Sequence, residues 1–515
     1  MDSKTNLLLV EEEWDLALPS LQEFVRIPNL SPGLDCEWAT NGLLDKAVHH
    51  VAEWVRAQTV TGCVIEVQKD EGFSPFLFIE IASTLEDARG DSTFLMYGHL
   101  DKQPHGPGWD ADIEPTSGLI RDGRLYGRGS ADDGYAAYAS IIAVKALQRQ
   151  GIKHPRIVII AEAAEESMSM HLAHYVEKNA PRIGKPTAVF CLDSTALDFS
   201  KLWITTSLRG VFAGTLEVSV MTKGFHSGAA GGIVPDVFSV AMQLLCRVKE
   251  PGTEKITVPE VQTKIPVERQ EQMQSLITQG YESDILRQYP WKGCTRPHGE
   301  DMFALIRANT WESSLAITGQ EGLPTLDKAG AVLQPSIKLM MSFRTSPLAD
   351  TKEGARAVKE VLEKDPPCGA SVSADFPKMA ADGWNAPDLN PALERALNEA
   401  SKTYFDGKEV GYAGAGGTIP LMNMLGSLFP DSAMIVTGIC GPETNMHGPN
   451  EFLPIDYTKK FTASMALVMG TVQLESTVWP EDVPLPVGSR PGRKTKRTHC
   501  FRQPGVFIGQ CLCCL

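Results

Sequence analysis

Four short apolar segments constrain the fold of this chain more than any other feature. They are FLMYGHLD (94–101), IVIIAEAAEE (157–166), AVFCLDS (188–194) and AMIVTGIC (433–440). Unbroken apolar runs of this length, rich in β-branched and aromatic residues, are typical of strands buried on both faces. Helical patterns lie between them, for example at 136–151, which ends with Gly151 as a C-cap. Alternating strands and helices predict an α/β sheet with a large parallel component.

The middle of the chain has a different pattern. Residues 211–220 alternate as a half-buried strand does, and a helical pattern follows at 236–250. A long mixed stretch leads to the strand-like SIKLMMSFR (336–344), a charged helical pattern at 350–365 and the alternating SVSADF (371–376). This order of elements predicts a separate α+β domain inserted into the α/β domain.

These patterns predict four parts of the chain. They are a catalytic domain in two pieces (1–209 and 377–480), an inserted lid or dimerisation domain (210–376) and a tail (481–515). The tail is Pro-rich, then basic (RPGRKTKR), and ends in CLCCL. Its composition predicts disorder. Palmitoylation of its cysteines beside basic residues is a less favoured alternative.

Charge and apolar pattern exclude several classes of protein. The net charge of −15 argues against nucleic-acid binding, which requires a basic surface. No apolar stretch approaches the roughly 20 residues of a membrane span. The N-terminal MDSKTNLLLVEEEWDL does not read as a signal peptide, because three glutamates follow four apolar residues. Scattered cysteines without CxxC spacing in the body of the chain fit free thiols in a reducing cytoplasm.

Two motifs carry side chains suited to metal binding. In GHLD (98–101), His99 is a potential zinc ligand, and Asp101 could hold its other ring nitrogen. In GRGSADDG (127–134), a helix begins, and the helix dipole favours a carboxylate there. Each motif alone has an ordinary alternative. His99 could be a structural histidine, and Asp132 or Asp133 could be the N-cap of the helix.

Further candidates follow the other strands. Glu165 and Glu166 are adjacent carboxylates, and burial of both raises one pKa unless a metal binds one of them. Asp193 follows the third strand, and His447 lies in the Gly/Pro loop after the last. Taken singly, each has an ordinary alternative: Glu165 and Glu166 could belong to a loop, Asp193 could form a turn, and His447 could be an exposed histidine. Together with the two motifs above, they indicate a shared site, because carboxyl ends of parallel strands meet at one edge.

The motifs together resemble a known family. They are YGHLDKQP, GWD, LYGRGSADD, AEAAEES, LRG (208–210), FHSGAAGG, SFR, GGTIP and HGPNE. In this order and spacing they resemble the carnosinase-like dipeptidases of metallopeptidase family twenty, over roughly residues 15–475. The resemblance implies a zinc-exopeptidase-like catalytic domain with a central mixed, largely parallel sheet, plus an inserted α+β lid or dimerisation domain.

The resemblance also implies two divalent metal ions per subunit, zinc or manganese. Asp132 would bridge the two ions. His99 and Asp193 would complete one site, and Glu166 and His447 the other. Histidine with carboxylate ligands suits these metals.

The implied reaction is hydrolysis by a water that bridges the two ions. Glu165 would be the general base and Asp101 would orient His99. A base needs a free lone pair, so Glu165 is not expected to bind metal.

The implied substrate is a dipeptide or short peptide with a free C-terminal carboxylate. Arg344 would hold that carboxylate, since a guanidinium binds it with two hydrogen bonds. Gly417 and Thr418 belong to a loop expected to meet the same group, and His447 is also expected to contact substrate. His226 would reach across a homodimer interface into the partner's site and stabilise the oxyanion.

The chain departs from the family pattern in its pocket. Gly414-Ala415 stands where the family usually has Arg-Glu, and Met168 and Lys102 are further departures. None removes a ligand. An N-acyl-amino-acid deacylase of the same superfamily is the alternative function, although the long insertion at 251–335 favours the dipeptidase. A scaffold that kept the fold without catalysis is a third hypothesis, against which the full ligand set argues.

Overall fold

The computed structural model of the chain describes residues 1–85, 92–281, 286, 289, 291–299 and 301–475. The predicted tail at 481–515, with its CLCCL end, lies outside the described residues. Among the helices of the described part, none combines the length and apolar character that a membrane crossing requires.

Strands occur along the whole described chain. They are β1 (Cys63–Gln68), β2 (Phe76–Ile81), β3 (Thr93–His99), β4 (Leu119–Arg121), β5 (Arg124–Tyr126), β6 (Arg156–Glu162), β7 (Ala188–Cys191), β8 (Trp203–Leu208), β9 (Gly210–Ser219), β10 (Phe225–His226), β11 (Ser314–Glu321), β12 (Val332–Leu333), β13 (Ser336–Thr345), β14 (Ser371–Ala381), β15 (Trp384–Asn385), β16 (Gly411–Ala415), β17 (Ala433–Val436) and β18 (Phe452–Pro454).

Helices separate most of these strands. They are α1 (Ser3–Val25), α2 (Trp38–Asn41), α3 (Leu43–Ala57), α4 (Ala136–Arg149), α5 (Leu172–Ile183), α6 (Ser227–Ala230), α7 (Val237–Val248), α8 (Val267–Thr278), α9 (Met302–Thr310), α10 (Thr351–Glu363), α11 (Pro391–Tyr404), α12 (Pro420–Leu428) and α13 (Ile455–Glu475). Short 3₁₀ turns include Pro32–Leu34 and Glu165–Ser167.

The larger sheet has the order β1-β2-β6-β3-β7-β17-β8-β15, with β16 beside β8. Its centre, β6-β3-β7-β17, is parallel, while β1, β2 and β15 pair antiparallel at the edges. Every residue of β3 and β7 is buried, as the unbroken apolar runs predict. The predicted strands at 94–101, 157–166, 188–194 and 433–440 therefore all lie in this parallel centre.

Apolar layers cover both faces of this sheet. One core contains residues of α1, α3, α4, α11 and α13. The other contains residues of α5 and α12. Two covered faces explain why the central strands are apolar on both sides.

A second sheet has the order β11-β13-β9-β14 and is antiparallel throughout. Helices α7 and α10 pack on it around a separate core. The predicted fold class, α/β with an inserted α+β part, is confirmed. β14 continues to Ala381, past the predicted domain limit at 376, and the domain boundaries themselves stay a prediction.

Lys102 closes the C-terminal end of α1. Its Nζ donates hydrogen bonds to the main-chain oxygens of Phe24 (2.9 Å), Val25 (3.1 Å) and Ile27 (2.7 Å). The last carbonyls of a helix have no partner within the helix, so a buried end needs such a donor. Lys102 is buried, and this burial lowers its pKa to about 7. Lys102, which departs from the family pattern, thus joins α1 to the segment that follows β3.

Replacing Lys102 by Met should lower the free energy of unfolding by about 1–3 kcal/mol, because three carbonyl groups each lose a hydrogen bond from a buried ammonium group. Urea unfolding measures this. Lys459→Met is the matched control, since Lys459 joins α13 to an exposed Asp15 on α1 and should change stability by less than about 0.5 kcal/mol. Equal losses in both variants would contradict the assignment.

Candidate active site

The predicted site residues meet because neighbouring parallel strands end at one edge of the sheet. His99 is the last residue of β3, and Glu165 and Glu166 form the 3₁₀ turn that follows β6. Asp193 comes two residues after β7, which pairs with β3 on its other side. The carboxyl ends of these three strands therefore bring one histidine and three carboxylates together.

Asp132 reaches this edge from the segment before α4. Close approach of that segment to β3 depends on Gly98, since a Cβ there would lie 2.4 Å from the Cβ of Ala136. Asp132 Oδ1 lies 3.1 Å from His99 Nε2, and its Oδ2 lies 2.9 Å from His447 Nε2. The two oxygens of a single carboxylate thus face two different histidines.

Two groups of side chains have the chemistry and spacing of a metal site. Potential ligand atoms of His99, Asp132 and Glu166 all lie within 4.8 Å of one another, and so do those of His99, Glu165 and Asp193. His447 Nε2 lies 3.2 Å from Glu166 Oε2. Imidazole nitrogens with carboxylate oxygens suit zinc or manganese, so the donor set fits the implied metals.

Asp101 holds the turn that carries Glu165 and Glu166. Its Oδ1 accepts a hydrogen bond from the Glu165 N–H (3.1 Å), and its Oδ2 accepts one from the Glu166 N–H (3.0 Å). The His99 Nδ1 lies 3.2 Å from the Asp101 main-chain oxygen and 3.5 Å from Oδ1. Asp101 thus contacts His99 mainly through its main chain. Gln103 Nε2 donates to Glu166 Oε2 at 2.7 Å.

Crowded carboxylates perturb each other's protonation. Burial, followed by the charge of Asp193, raises the pKa of Glu165 well above its usual range. Burial and the charge of Asp132 also raise the pKa of Glu166, and burial raises that of Asp193 to about 7. Asp132 is the exception, because hydrogen bonds from His447 and His99 overcome its burial and lower its pKa.

Lysine and arginine do not neutralise these carboxylates. Within the described residues, no Lys or Arg nitrogen forms an ion pair with Asp132, Glu165, Glu166 or Asp193. Buried carboxylates without a cation favour the protonated form. The arrangement therefore favours bound cations.

A buried ion pair joins the two loops that carry Asp132 and His447. Arg128 Nη1 donates to Glu451 Oε2 at 2.6 Å, and both side chains are buried. Glu451 Oε1 accepts the N–H groups of Gly129 (3.0 Å), Ala131 (3.2 Å) and Asp132 (3.3 Å). Glu451 thus fixes the backbone from which the Asp132 side chain extends.

The predicted carboxylate-binding residues meet at a second place. Arg344 on β13 donates from Nη1 to the Thr418 hydroxyl at 2.8 Å. Gly417 is exposed, and open space surrounds the position that a Cβ would take. Arg209 contacts the same loop, donating from Nε to the Gly416 oxygen at 3.0 Å. This loop follows β16 and contacts β13, so it joins the two sheets.

His226 lies apart from the other predicted site residues. It ends β10, is exposed, and its strand pairs with β12. Among the described residues, no hydrogen bond or ion pair joins His226 to the histidine–carboxylate cluster of its own chain. Its predicted role across an interface stays a prediction.

Residues 95–471 match the model of peptidase family M20/M25/M40. The chain belongs to this family. Among its M20 relatives, the cysteinylglycine-S-conjugate dipeptidase of Corynebacterium striatum is 25% identical over 70% of this chain and 77% of that protein. The human Beta-Ala-His dipeptidase is 26% identical over 76% of each chain. The predicted family, its dipeptidase branch and the class of enzyme are confirmed.

Solved structures of dipeptidases have a fold similar to that of this chain. The dipeptidase Dug1p from Saccharomyces cerevisiae superposes with a TM-score of 0.73 at 19% identity, over 92% of this chain and 99% of that one. Human carnosine dipeptidase 1 gives a TM-score of 0.70 at 21% identity, with the same coverage. At these identities the likeness concerns the fold.

Sequence reasoning on this M20 chain missed three groups that act on the candidate site. Glu451, Arg128 and Arg209 all lie in motifs that carried the family resemblance, but no role was predicted for them. One signal was available for the first two, since Glu451 is the only acidic residue of HGPNE and Arg128 the only basic residue of GRGSADD, and neither had an assigned role. The LRG motif gave no comparable signal, because the partners of Arg209 are main-chain oxygens and a serine hydroxyl, all uncharged.

Replacing Glu451 by Gln should weaken retention of divalent metal by about 10- to 100-fold, as expected when a group that orients a ligand is altered. The variant keeps its shape but loses the charge that Arg128 and three N–H groups share. Metal content after dialysis against a graded chelator measures this. Glu443→Gln is the control, because Glu443 lies in the same loop and pairs with Arg124 at the surface. Unchanged retention in Glu451→Gln would contradict the assignment.

Proposed function

We propose that this M20 peptidase hydrolyses dipeptides or short peptides that have a free C-terminal carboxylate, using two divalent ions. The observation that carries the proposal is the position of Asp132 between two histidines, with Oδ1 near His99 and Oδ2 near His447. A carboxylate with this arrangement can bridge two ions. His99 and Asp193 would then hold one ion, and Glu166 and His447 the other.

Zinc or manganese fits this donor set. When bound, such ions polarise the scissile carbonyl and increase the acidity of a water molecule. Gln103 and Asp101 would keep the ligands in place, the first through Glu166 and the second through the backbone of the 165–166 turn. A cytoplasmic location is part of the proposal, and the free cysteines of the described chain are consistent with it.

Glu165 would act as the general base. Burial raises its pKa, which makes its carboxylate a stronger proton acceptor, although nearby cations would bring the value back down. The Glu165 N–H donates to Asp101, which fixes the backbone that carries the Glu165 side chain. It would take a proton from the attacking water and pass it to the leaving amine.

Arg344 would bind the free carboxylate of the substrate. Burial lowers its pKa, yet it has no acidic partner among the described residues. Its contact with Thr418 leaves the rest of the guanidinium for a substrate oxygen. Within the described residues, the backbone N–H groups of Gly417 and Thr418 also have no acceptor, so they could contribute further hydrogen bonds.

A homodimer through the inserted part would complete the site. His226 is exposed on β10, outside the cluster of its own chain. Exposed apolar side chains occur in this part of the chain on β10, β12, α7 and the segment before α7, namely Phe225, Val332, Phe238, Met242 and Ile233. Such a surface favours association with a second copy. His226 of one subunit would then donate a hydrogen bond to the oxyanion in its partner's site.

The deciding experiment is a substrate panel with purified, metal-loaded protein. It compares β-Ala-His, Cys-Gly and other dipeptides with N-acetyl amino acids, after zinc or manganese is restored to chelated protein. The proposal expects hydrolysis of dipeptides, about two ions per chain and loss of activity on chelation. Preference for N-acetyl amino acids would favour the deacylase. The names of the relatives, which are dipeptidases, do not support that alternative.

Glu165→Gln should retain both ions and the folded state but lower turnover by at least about 10²-fold, because an amide cannot accept the proton. Metal analysis and kcat measure the two effects separately. Glu177→Gln, an exposed change on α5, is the control. Glu165 also lies within ligand distance of His99 and Asp193, so loss of metal would instead identify Glu165 as a ligand.

His226→Ala should be nearly inactive with its metals intact, since loss of one oxyanion donor typically costs about 10²–10³-fold in rate. His298→Ala, at an exposed histidine of the same inserted segment, should stay active. Mixing His226→Ala with Glu165→Gln should restore activity, because one site of a mixed dimer then has both groups intact. An inactive mixture, despite subunit exchange, would rule out donation across the interface.

A further inference from the structure

Arg209 lies where the chain passes from one sheet to the other. β8 of the larger sheet ends at Leu208, and β9 of the second sheet begins at Gly210. The crossing segments touch each other closely, since a Cβ at Gly383 would lie 2.7 Å from both the Leu208 oxygen and the Gly210 nitrogen. Arg209 itself is only 8% exposed. Its guanidinium is therefore enclosed at a point where both sheets meet.

The guanidinium of Arg209 is bonded to neutral oxygens. Nε donates to the Gly416 oxygen at 3.0 Å. Nη1 donates to the main-chain oxygens of Ala308 (3.3 Å) and Glu312 (3.2 Å) and to the Ser314 hydroxyl (3.2 Å). No carboxylate pairs with Arg209 in the part of the chain that the structure describes. The side chain thus joins the loop after β16 to the end of α9 and the start of β11.

Arg209 also controls the direction of the Thr418 hydroxyl. This hydroxyl donates its proton to the Arg209 main-chain oxygen at 2.5 Å and accepts the Arg344 Nη1 hydrogen at 2.8 Å. A hydroxyl has one proton to donate. Thr418 therefore contacts Arg344 as an acceptor, and in this arrangement its own proton is donated to Arg209; the predicted contact of its loop with the substrate carboxylate stays a prediction.

We propose that Arg209 is a positioning residue for recognition of the substrate carboxylate. Its side chain holds Gly416 and its main chain holds Thr418, so both ends of the 416–418 turn are fixed relative to Arg344. Arg209 acts through this turn and through Arg344, because its Nε and Nη1 are already bonded to protein oxygens. The inference rests on the proposed function, in which Arg344 binds that carboxylate.

The test compares the best dipeptide of the substrate panel with its C-terminal amide. Removing the negative charge from the substrate removes the interaction that Arg344 would make. Arg209→Met should raise KM for the dipeptide by at least about tenfold with a smaller change in kcat, since the lost contact serves binding. The amide should be affected less than about twofold, so that the preference for the free acid falls.

Arg269→Met is the matched control. Arg269 is also a buried arginine that bonds α8 to the larger sheet, through Asn385 Oδ1 (2.9 Å) and the Ala386 oxygen (2.8 Å). In the described part of the chain, no hydrogen bond or ion pair joins Arg269 to the 416–418 turn. Its loss should reduce thermal stability without changing the preference for acid over amide. A role of Arg209 in stability alone would give the same result for both variants.

A double variant completes the experiment. If Arg209 acts through Arg344, then Arg209→Met with Arg344→Met should lose little more acid preference than Arg344→Met alone. Independent, additive losses would overturn the inference, because they would mean that Arg209 binds the carboxylate directly. An unchanged preference in Arg209→Met would also overturn it and leave the proposed function intact. If the wild-type chain hydrolyses the dipeptide and its C-terminal amide equally well, Arg344 does not recognise the substrate carboxylate. That result would contradict both this part of the proposed function and the inference.

Discussion

The structure depends on concentrating carboxylates at one buried edge of a sheet. Asp132 and Glu166 lie within reach of His99 there, and so do Glu165 and Asp193. Burial raises the pKa of Glu165, Glu166 and Asp193. Such a group of negative charges destabilises the fold unless protons or cations neutralise it. The apolar parallel strands that end at this edge supply the stability that permits the arrangement.

Two further carboxylates at the site bind backbone instead of facing the cluster. Asp101 accepts two N–H groups of the 165–166 turn, and Glu451 accepts three of the 129–132 segment. A carboxylate satisfied by N–H groups fixes a loop without adding a ligand. The site therefore contains acids that face the cluster and acids that hold its supporting backbone.

The parts of this site that the sequence predicts are those formed by residues close together along the chain. The strands of the central sheet, and the histidine and acids that follow them, are local patterns and were predicted. Their ends were less accurate: the predicted strand at 433–440 ends at Val436. Beyond it, Gly438 lies so close to Ser194 that a Cβ at this position would be 2.0 Å from the Ser194 oxygen. The contacts of Glu451 with Gly129 and of Arg209 with Gly416 join residues 322 and 207 positions apart, which no local pattern records.

The buried cations near the site are bonded to groups other than the carboxylates of the cluster. Lys102 is bonded to main-chain oxygens at the end of α1, and Arg209 to main-chain oxygens and a hydroxyl at the sheet junction. Arg128 does pair with an acid, but with Glu451, which holds backbone. A lysine or arginine paired with Asp132 or Glu166 would neutralise the charge that a divalent ion requires. Because these cations stabilise the surrounding loops through other oxygens, the ligand carboxylates remain available to metal.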